Sequence, residues 1–335
     1  MRPALVSLME NVYNTYENLF SEKNMKSKRI LLTVLLLAVF LTGCRPLVKE
    51  EEIKKEYNIF ASFYPVYALS GMIIDNDIPD MNLYLLVQPQ DGCLRSYSLS
   101  DRDLYLAAAA DAVILSGNGL ESFESVLTGL GEEGPAVISI TSGMILEKMN
   151  VSDNTESHFS GVNPWVFLSV DGACEMLHAI AADMAYLDPA YESAYMKNLA
   201  EAQEKMTALK ASMTEIMGDE IKKVPIAVAH EGLILFANDW QLNISAYLQR
   251  ESGVMPDDSE LDEMLEMLRD SGAKAVLVEK QAPEAFLKLL KDAGYRCVLM
   301  DTLSTGNAGM GAQGYFDAMI ENAKSIAETL KEDKT

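Results

Sequence analysis

The stretch of sequence that decides the fold runs from residue 187 to residue 217 and reads LDPAYESAYMKNLAEAQEKMTALKASMTEIM. Its apolar side chains recur every three, four or seven residues among polar ones, which predicts a helix with one buried face: Tyr191, Tyr195, Leu199, Met206, Leu209 and Met213. Asp188 as N-cap and Pro189 in the first turn form a typical helix start. About 29 residues at 1.5 Å each give a rod of roughly 43 Å, longer than one domain needs. We therefore predict a helix that joins two domains and restricts hinge closure between them.

On both sides of this helix, short apolar runs alternate with helical segments, the pattern of a parallel sheet covered by helices. Before it, the predicted strands are residues 59–63, 81–87, 112–116 and 136–140, and the predicted helices are 66–74, 100–110 and 120–130. After it, the predicted strands are 224–229, 273–279 and 296–300, and the predicted helices are 261–269 and 283–292. The sequence thus predicts the α/β class. Two α/β lobes at 58–186 and 219–331, each a mainly parallel sheet flanked by helices, are joined by one long helix at 187–218.

Composition narrows the possible partners. The chain has 335 residues, of which 49% are hydrophobic and 23% charged, as in a folded protein of about two domains. Its net charge of −23 has the wrong sign for gripping a phosphate backbone, so nucleic acid is excluded as a partner. Four cysteines show neither a CxxC pair nor the density of a disulfide scaffold. We expect a monomer in which Cys93, Cys174 and Cys297 are separate reduced thiols.

The N-terminal part has the design of an export signal. Residues 30–41 form an apolar run broken only by Thr33, and Lys26, Lys28 and Arg29 precede it. Twelve residues are too few to span a bilayer. A basic flank followed by a short apolar segment instead predicts a secretory signal peptide.

The end of this signal, Leu41-Thr42-Gly43-Cys44, resembles the lipobox of bacterial lipoproteins, in which the cysteine is fatty-acylated and becomes the first mature residue. An ordinary signal that ends near a buried cysteine is the alternative. We predict that Met25 is the true start, that 1–24 is a misassigned upstream extension and that 25–43 is the signal peptide. The polar segment 44–57 then tethers the folded part to a lipid anchor on Cys44.

Six motifs, spread over nearly all of the mature chain, carry a resemblance to a known family. They are Arg95-Ser-Tyr-Ser-Leu-Ser-Asp-Arg-Asp103, Asn163-Pro-Trp-Val-Phe-Leu-Ser169, Leu187-Asp-Pro189, Ala229-His-Glu-Gly232, Val278-Glu-Lys-Gln281 and Leu299-Met-Asp-Thr-Leu303. In this order and spacing they resemble the zinc/manganese substrate-binding proteins of ABC transporters. The resemblance implies two α/β lobes joined by a backbone helix, a metal ion between the lobes, and a membrane permease with its ATPase as partners.

The resemblance also implies a set of metal ligands, and this chain keeps only half of it. The family's first two histidines fall on Arg95 and Trp165, neither of which ligates a divalent metal. The last two ligands fall on His230 and Asp301. A zinc site needs about four nitrogen, oxygen or sulfur ligands. His230 and Asp301 alone would therefore hold a metal weakly.

Three further residues are weak candidates for completing the site. Cys93 lies two residues before Arg95, His158 lies shortly before the motif at residue 163, and Glu279 ends a predicted strand. Glu279 is equally suited to a structural role. Two other residues are expected to have no ligand-binding role. Glu231 is predicted to be a solvated neighbour, and His178 a hydrogen-bonded structural histidine. Arg95 opposite the aromatic Trp165 also suits an anionic or planar ligand.

Enzyme signatures fail on their spacing. His230-Glu231 begins like a zincin helix, but no second histidine occurs four residues later. Gly117-Asn-Gly119 begins like a dinucleotide-binding loop, but Ser122 stands where the third glycine is needed. We find no nucleophile elbow, P-loop or pair of catalytic carboxylates, and we predict that the protein is not an enzyme.

The sequence therefore predicts a solute-binding lipoprotein on the outer face of the bacterial cell membrane. It would capture zinc or manganese between its lobes and deliver the ion to an ABC permease. A diverged relative that has lost the metal and binds another solute, a partner or nothing is the alternative that remains open.

Overall fold

The computed structural model describes residues 56–74, 78–88, 94–146, 162–248, 250 and 253–331. The predicted signal peptide, Cys44, Cys93 and His158 lie outside these ranges.

The first sheet has four parallel strands and begins one residue before the predicted folded part. Its strands are β1 (Tyr57–Ala61), β2 (Met81–Leu85), β3 (Ala112–Leu115) and β4 (Ala136–Ser139), in the spatial order β2-β1-β3-β4. The helices among them are α1 (Tyr64–Ile73), α2 (Asp101–Ala108) and α3 (Glu124–Thr128). All four residues of the central strand β3 are buried, as expected for a parallel sheet covered on both faces.

Two long helices follow the first sheet. They are α4 (Val170–Leu187) and α5 (Glu192–Met217), and a 3-10 turn over Pro189–Tyr191 leads into α5. The predicted long central helix is confirmed, with a 3-10 turn in place of its first residues. The prediction that Asp188 caps it is wrong, because the Asp188 side chain makes no capping hydrogen bond. Gly218 ends α5 with a φ of 63°, a left-handed value that favours glycine.

The second sheet repeats the plan of the first. Its parallel strands are β5 (Pro225–Val228), β6 (Asn243–Tyr247), β7 (Ala275–Glu279) and β8 (Arg296–Met300), in the order β6-β5-β7-β8. Its helices are α6 (Gly232–Asp239), α7 (Asp258–Ser271), α8 (Glu284–Asp292) and α9 (Gln313–Lys331). The predicted α/β class with two parallel sheets and a long central helix is confirmed.

One hydrophobic core runs through both sheets and the helices between them. Ile59 of β1, Met206 of α5, Leu277 of β7 and Met319 of α9 are fully buried members of the same cluster. A smaller core, which includes Phe286, packs α7 and α8 on the other face of the second sheet. Because the two halves share buried apolar surface, separating them would expose that surface to water at a large cost in free energy.

Some predicted elements differ from the observed ones. The predicted helix at 120–130 is wrong in length, since only α3 is α-helical there and a 3-10 turn comes after it at Gly131–Glu133. Strand β6 and helices α4, α6 and α9 are not among the predicted strands and helices. No helix of the described ranges is both long and apolar enough to cross a membrane.

Candidate functional site

Three polar side chains follow neighbouring strands of the second sheet where those strands end. His230 comes two residues after β5, Glu279 is the last residue of β7, and Asp301 directly follows β8. Because β5, β7 and β8 are parallel neighbours in that order, their carboxyl ends meet at one edge of the sheet. Open α/β sheets bind their ligands at this edge. The structure therefore brings the predicted ligands His230 and Asp301, and the weak candidate Glu279, to a common edge.

His230 is buried at this edge, and the backbone of α6 fixes its ring. The residue is only 2% exposed, and the Gly232 N–H donates to Nδ1 at 3.1 Å. This bond uses the lone pair on Nδ1, so the proton of the neutral ring lies on Nε2. Burial, with repulsion from the cations of Arg250 and Arg95, lowers the pKa of His230 to about 3. The imidazole is therefore neutral at physiological pH. In this ring orientation the one available lone pair of the imidazole, on Nδ1, accepts the Gly232 N–H.

Trp165, at the position of the family's second histidine, closes over His230. Its side chain is buried, the two ring centroids are 4.8 Å apart, and the ring planes meet at 87°. Asn163 shapes the loop, since its Oδ1 accepts the Trp165 backbone N–H at 3.0 Å. A Cβ added to Gly232 would lie 2.7 Å from Trp165 Cδ2. Only glycine at position 232 therefore leaves room for this indole.

Glu231 receives contacts from three residues of the first half of the chain, the part that precedes α5. Trp165 Nε1 donates to Glu231 Oε1 at 3.2 Å, and Arg95 Nε lies 3.4 Å from the same oxygen. The Glu231 carbonyl accepts a hydrogen bond from Asn163 Nδ2 at 2.9 Å. The Arg95 and Glu231 side chains are 16% and 11% exposed, so water only partly screens their ion pair. The prediction of Glu231 as a solvated neighbour is wrong, because an indole and a guanidinium cover its carboxylate.

Glu279 lies in a buried ion pair that the sequence analysis missed. It is fully buried, and its Oε1 contacts Nη2 of Arg250, which is itself 4% exposed. Arg250 Nη1 also donates to the Val254 carbonyl at 2.6 Å, and the guanidinium lies 4.7 Å from the centroid of the Phe286 ring. Burial lowers the pKa of Arg250 to about 10, which still leaves it a cation at neutral pH. In this arrangement Arg250 neutralises Glu279 from within the protein.

Asp301 is held by its own loop and by a lysine. Its Oδ1 accepts the Leu303 N–H at 2.7 Å, and its Oδ2 lies 3.2 Å from Lys280 Nζ. The Asn322 side chain bonds both the N–H and the carbonyl of Asp301, at 2.7 and 2.9 Å. Strand β7 separates β8 from β5 by about 10 Å, two interstrand spacings. Asp301 and His230 therefore lie at the ends of strands that are not adjacent in the sheet.

A second buried carboxylate, also missed, organises the corresponding edge of the first sheet. Glu121 Oε1 accepts from Ser62 Oγ and from the Ser116 N–H, both at 2.7 Å, and Oε2 accepts from the Gly117 N–H at 3.0 Å. Burial raises the pKa of Glu121. Since Ser62 follows β1 and Ser116 follows β3, Glu121 ties together the loops at the ends of the two central strands.

The remaining candidates contribute less to this edge. Cys174 and Cys297 are unpaired, partly buried thiols whose pKa burial raises. His178 lies on α4, and its Nε2 is 2.6 Å from Nε2 of Gln203 on α5, which confirms it as a hydrogen-bonded histidine. Within the described ranges, no three His, Cys, Asp or Glu side chains gather as a group able to hold a metal ion.

Comparison with known proteins finds a matching family model over most of the chain. The family model described as "Zinc-uptake complex component A periplasmic" matches residues 59–329. The zinc-binding lipoprotein AdcA of Streptococcus pneumoniae serotype 4 is 22% identical over 318 residues, which cover 90% of this chain and 61% of AdcA. The zinc-binding protein AdcA of Streptococcus pyogenes serotype M3 is 23% identical, with the same coverage. The chain thus spans about three fifths of the length of these relatives.

Solved structures share the fold. The SBP FpvC of Pseudomonas aeruginosa in complex with Mn²⁺ superposes with a TM-score of 0.71 at 20% identity, over 83% of this chain and 99% of FpvC. The Zn(II)-bound ZnuA-like domain of Streptococcus pneumoniae AdcA superposes with a TM-score of 0.66 at 21% identity, over 83% of this chain and all of that domain. At these identities the likeness establishes the architecture alone. The identity of the ligand has to be argued from the residues of the site.

Proposed function

The chain belongs to the family of periplasmic zinc-uptake complex component A proteins, and from that premise we propose that it is the extracytoplasmic solute-binding component of an ABC transporter. The observation that carries this proposal is the extent of the family match. It covers both parallel sheets and the helix between them, so the whole two-sheet frame that would present a solute is present. The partners in this proposal are a membrane permease and its ATPase.

The proposed cargo is a transition metal ion, zinc or manganese. His230 would supply nitrogen and Asp301 oxygen, and both lie at the carboxyl edge of the second sheet. Cys93 or His158 would complete the ligand set in place of the histidines that Arg95 and Trp165 replace. A set that includes sulfur and imidazole favours zinc, because manganese prefers oxygen ligands.

Metal titration tests this proposal directly. The full chain is freed of metal with a chelator, and zinc and manganese are added separately in a calorimeter. Saturable binding of one ion at a ratio near one per chain supports metal capture. Binding of neither ion would contradict the proposed cargo while leaving the family membership intact.

The proposed place of action is the outer face of the bacterial cell membrane, with the folded part tethered through an acylated Cys44. The lipobox that ends at Cys44 supports this. Labelled fatty acid should appear on the parent chain and be lost from Cys44→Ala. Label that persists in the variant would contradict the anchor.

A second candidate function keeps the scaffold and changes the solute. Arg95 and Trp165 stand at two of the four family ligand positions and both contact Glu231, which favours a cleft rebuilt for something other than a metal. An anionic or planar solute would suit an arginine beside an aromatic ring. Failure of both metals in the titration, with retention of the folded state, would favour this candidate.

A further inference from the structure

Four residues from the two halves of the chain converge at the edge that the proposed function assigns to the solute. They are Arg95, Asn163 and Trp165 from the first half and Glu231 from the second, and we call them the Glu231 clasp. Three of the four contacts end on Glu231: two on its Oε1 atom and one on its carbonyl oxygen. In the fourth, the Trp165 N–H donates to Asn163 Oδ1, and this bond fixes the loop that presents the indole. The contact of Arg95 with Glu231 is an ion pair at 3.4 Å, and the other three are hydrogen bonds.

We propose that the Glu231 clasp holds the two halves of the chain together at the predicted solute cleft without any solute, with Arg95 supplying a positive charge from the chain itself at this cleft. The consequence for capture rests on the proposed function. A divalent cation entering here meets an arginine already paired with the carboxylate of Glu231, the residue that follows His230 in the chain. It must displace that arginine, so Arg95 sets the threshold for metal binding.

The surroundings of the clasp support a closed arrangement. Trp165 and His230 pack edge to face beside it, and Gly232 leaves the gap that the indole fills. Farther along the same interface, Tyr64 Oη donates to the Gly311 carbonyl at 3.0 Å and Tyr315 Oη donates to the Phe167 carbonyl at 2.8 Å. The clasp is therefore one of several polar contacts between the two halves of the chain, which also share the buried apolar core.

The partial burial of the ion pair sets its expected strength. Fully exposed pairs contribute little to stability, whereas removing one partner of a buried pair leaves an uncompensated charge. Arg95 at 16% and Glu231 at 11% exposure stand between these limits, nearer to the buried one. We expect loss of either charge to raise the population of the open cleft about tenfold.

Hydrogen exchange followed by mass spectrometry measures this opening. The full chain is kept in chelator, so that no metal takes part. Two backbone amides report on the clasp: the Trp165 N–H, bonded to Asn163, and the Gly232 N–H, bonded to His230. Peptides that carry these amides should exchange about tenfold faster in Glu231→Gln and in Arg95→Gln than in the parent.

Matched controls separate clasp opening from general loosening. Asp171→Asn removes the Lys210–Asp171 ion pair, whose atoms are 2.6 Å apart on α4 and α5 outside the clasp, and should leave both reporter peptides unchanged. Peptides from the middle of α5 around Met206 should keep the parent's exchange rate in every variant. Should Glu231→Gln fail to fold, Arg95→Gln carries the test, because Arg95 lies on a short 3-10 turn and is partly exposed.

The exchange rates of the reporter peptides in the single and double variants decide between the outcomes. In the double variant Arg95→Gln with Glu231→Gln, the exchange should be no faster than in the faster single variant, because one ion pair cannot be lost twice. Reporter peptides that exchange at the parent's rate in both single variants would overturn the proposal, and so would effects that multiply in the double variant.

Zinc titration of the same variants keeps the proposal separate from the proposed function. If the chain captures metal, Arg95→Gln should bind zinc more tightly than the parent, since the competing cation is gone. Zinc binding that is equal in the two would contradict the threshold role of Arg95. Absence of zinc binding in both would contradict metal capture, while the exchange rates would still decide whether the clasp exists.

Discussion

The Trp165 indole meets the His230 imidazole edge to face, with ring centroids 4.8 Å apart and ring planes at 87°. Such aromatic pairs contribute about 0.5–1.5 kcal/mol beyond the burial of their surface. The contact joins a residue from the first half of the chain to the strand-end histidine of the second sheet. One of the family's expected ligand positions therefore packs against another.

The first prediction concerns the glycine that makes this contact possible. Gly232→Ala should lower the free energy of unfolding by about 1–3 kcal/mol, because the new Cβ would lie 2.7 Å from Trp165 Cδ2 and 3.0 Å from Cε3. Urea unfolding followed by circular dichroism measures the change. The control is Gly143→Ala, where no heavy atom lies within 4 Å of the added Cβ. Equal effects at the two positions would mean that the indole does not require the glycine.

The second prediction concerns the buried pair of Arg250 and Glu279. Glu279→Gln should cost about 3–5 kcal/mol of the free energy of unfolding, because it leaves the Arg250 cation buried without its counter-charge. The double variant Arg250→Met with Glu279→Leu should cost less than the single one. Asp292→Asn, which breaks the exposed Lys288–Asp292 pair, should change stability by less than about 1 kcal/mol. If the Glu279→Gln protein were as stable as the parent, the pair of Arg250 and Glu279 would have no structural role.

The third prediction is a pH dependence with a definite sign. The pKa of His230 is about 3 in the folded protein against an ordinary value of 6.5. Below pH 6.5 the unfolded chain therefore binds a proton at this residue that the folded chain does not. Unfolding should become easier as the pH falls, and at pH 5 this residue alone should have cost about 2 kcal/mol relative to pH 7.

The measurement compares the parent with His230→Gln in chelator between pH 7 and pH 5. Burial raises the pKa of Glu121 and of Asp239, which act in the opposite direction, so the difference between the two proteins isolates His230. The same slope in parent and His230→Gln would contradict a neutral, buried imidazole.

The sequence predicted the frame of the fold because its signals are local. The apolar runs of β3 and β7 and the spacing of Tyr195, Leu199, Met206 and Leu209 on α5 follow directly from strand and helix periodicity. Strand β6, with the sequence NISAY, was missed because polar Asn243 and Ser245 interrupt it. Its place at the edge of the sheet, where one side lacks a neighbour, tolerates those residues.

The site was predicted only in part, for a similar reason. His230 and Asp301 could be placed because the carboxyl ends of parallel strands form one edge of a sheet. Pairing of Arg250 with Glu279, and of Arg95 with Glu231, depends on how distant loops meet in three dimensions. Nothing in the spacing of those residues along the chain signals either pair.

The last prediction restores the family's ligand pattern. Arg95→His combined with Trp165→His should raise zinc affinity by well over tenfold, more than about 1.4 kcal/mol, because two imidazoles would join His230 and Asp301. The change also removes the Arg95 guanidinium, which competes with the metal ion for the Glu231 carboxylate. The gain requires that the loops can place the new rings about 2.1 Å from the metal. Calorimetric titration of the chelator-treated full chain with zinc measures it.

A variant that removes the same side chains without adding imidazole separates ligation from relief of competition. Arg95→Gln with Trp165→Phe should gain only the part of the affinity that the arginine suppresses, and His230→Ala in the double-histidine background should cancel most of the gain. Suppose instead that the parent already binds zinc tightly and the two histidines add nothing. Then the ligands lie elsewhere in the chain, with Cys93 and His158 the first to replace by alanine.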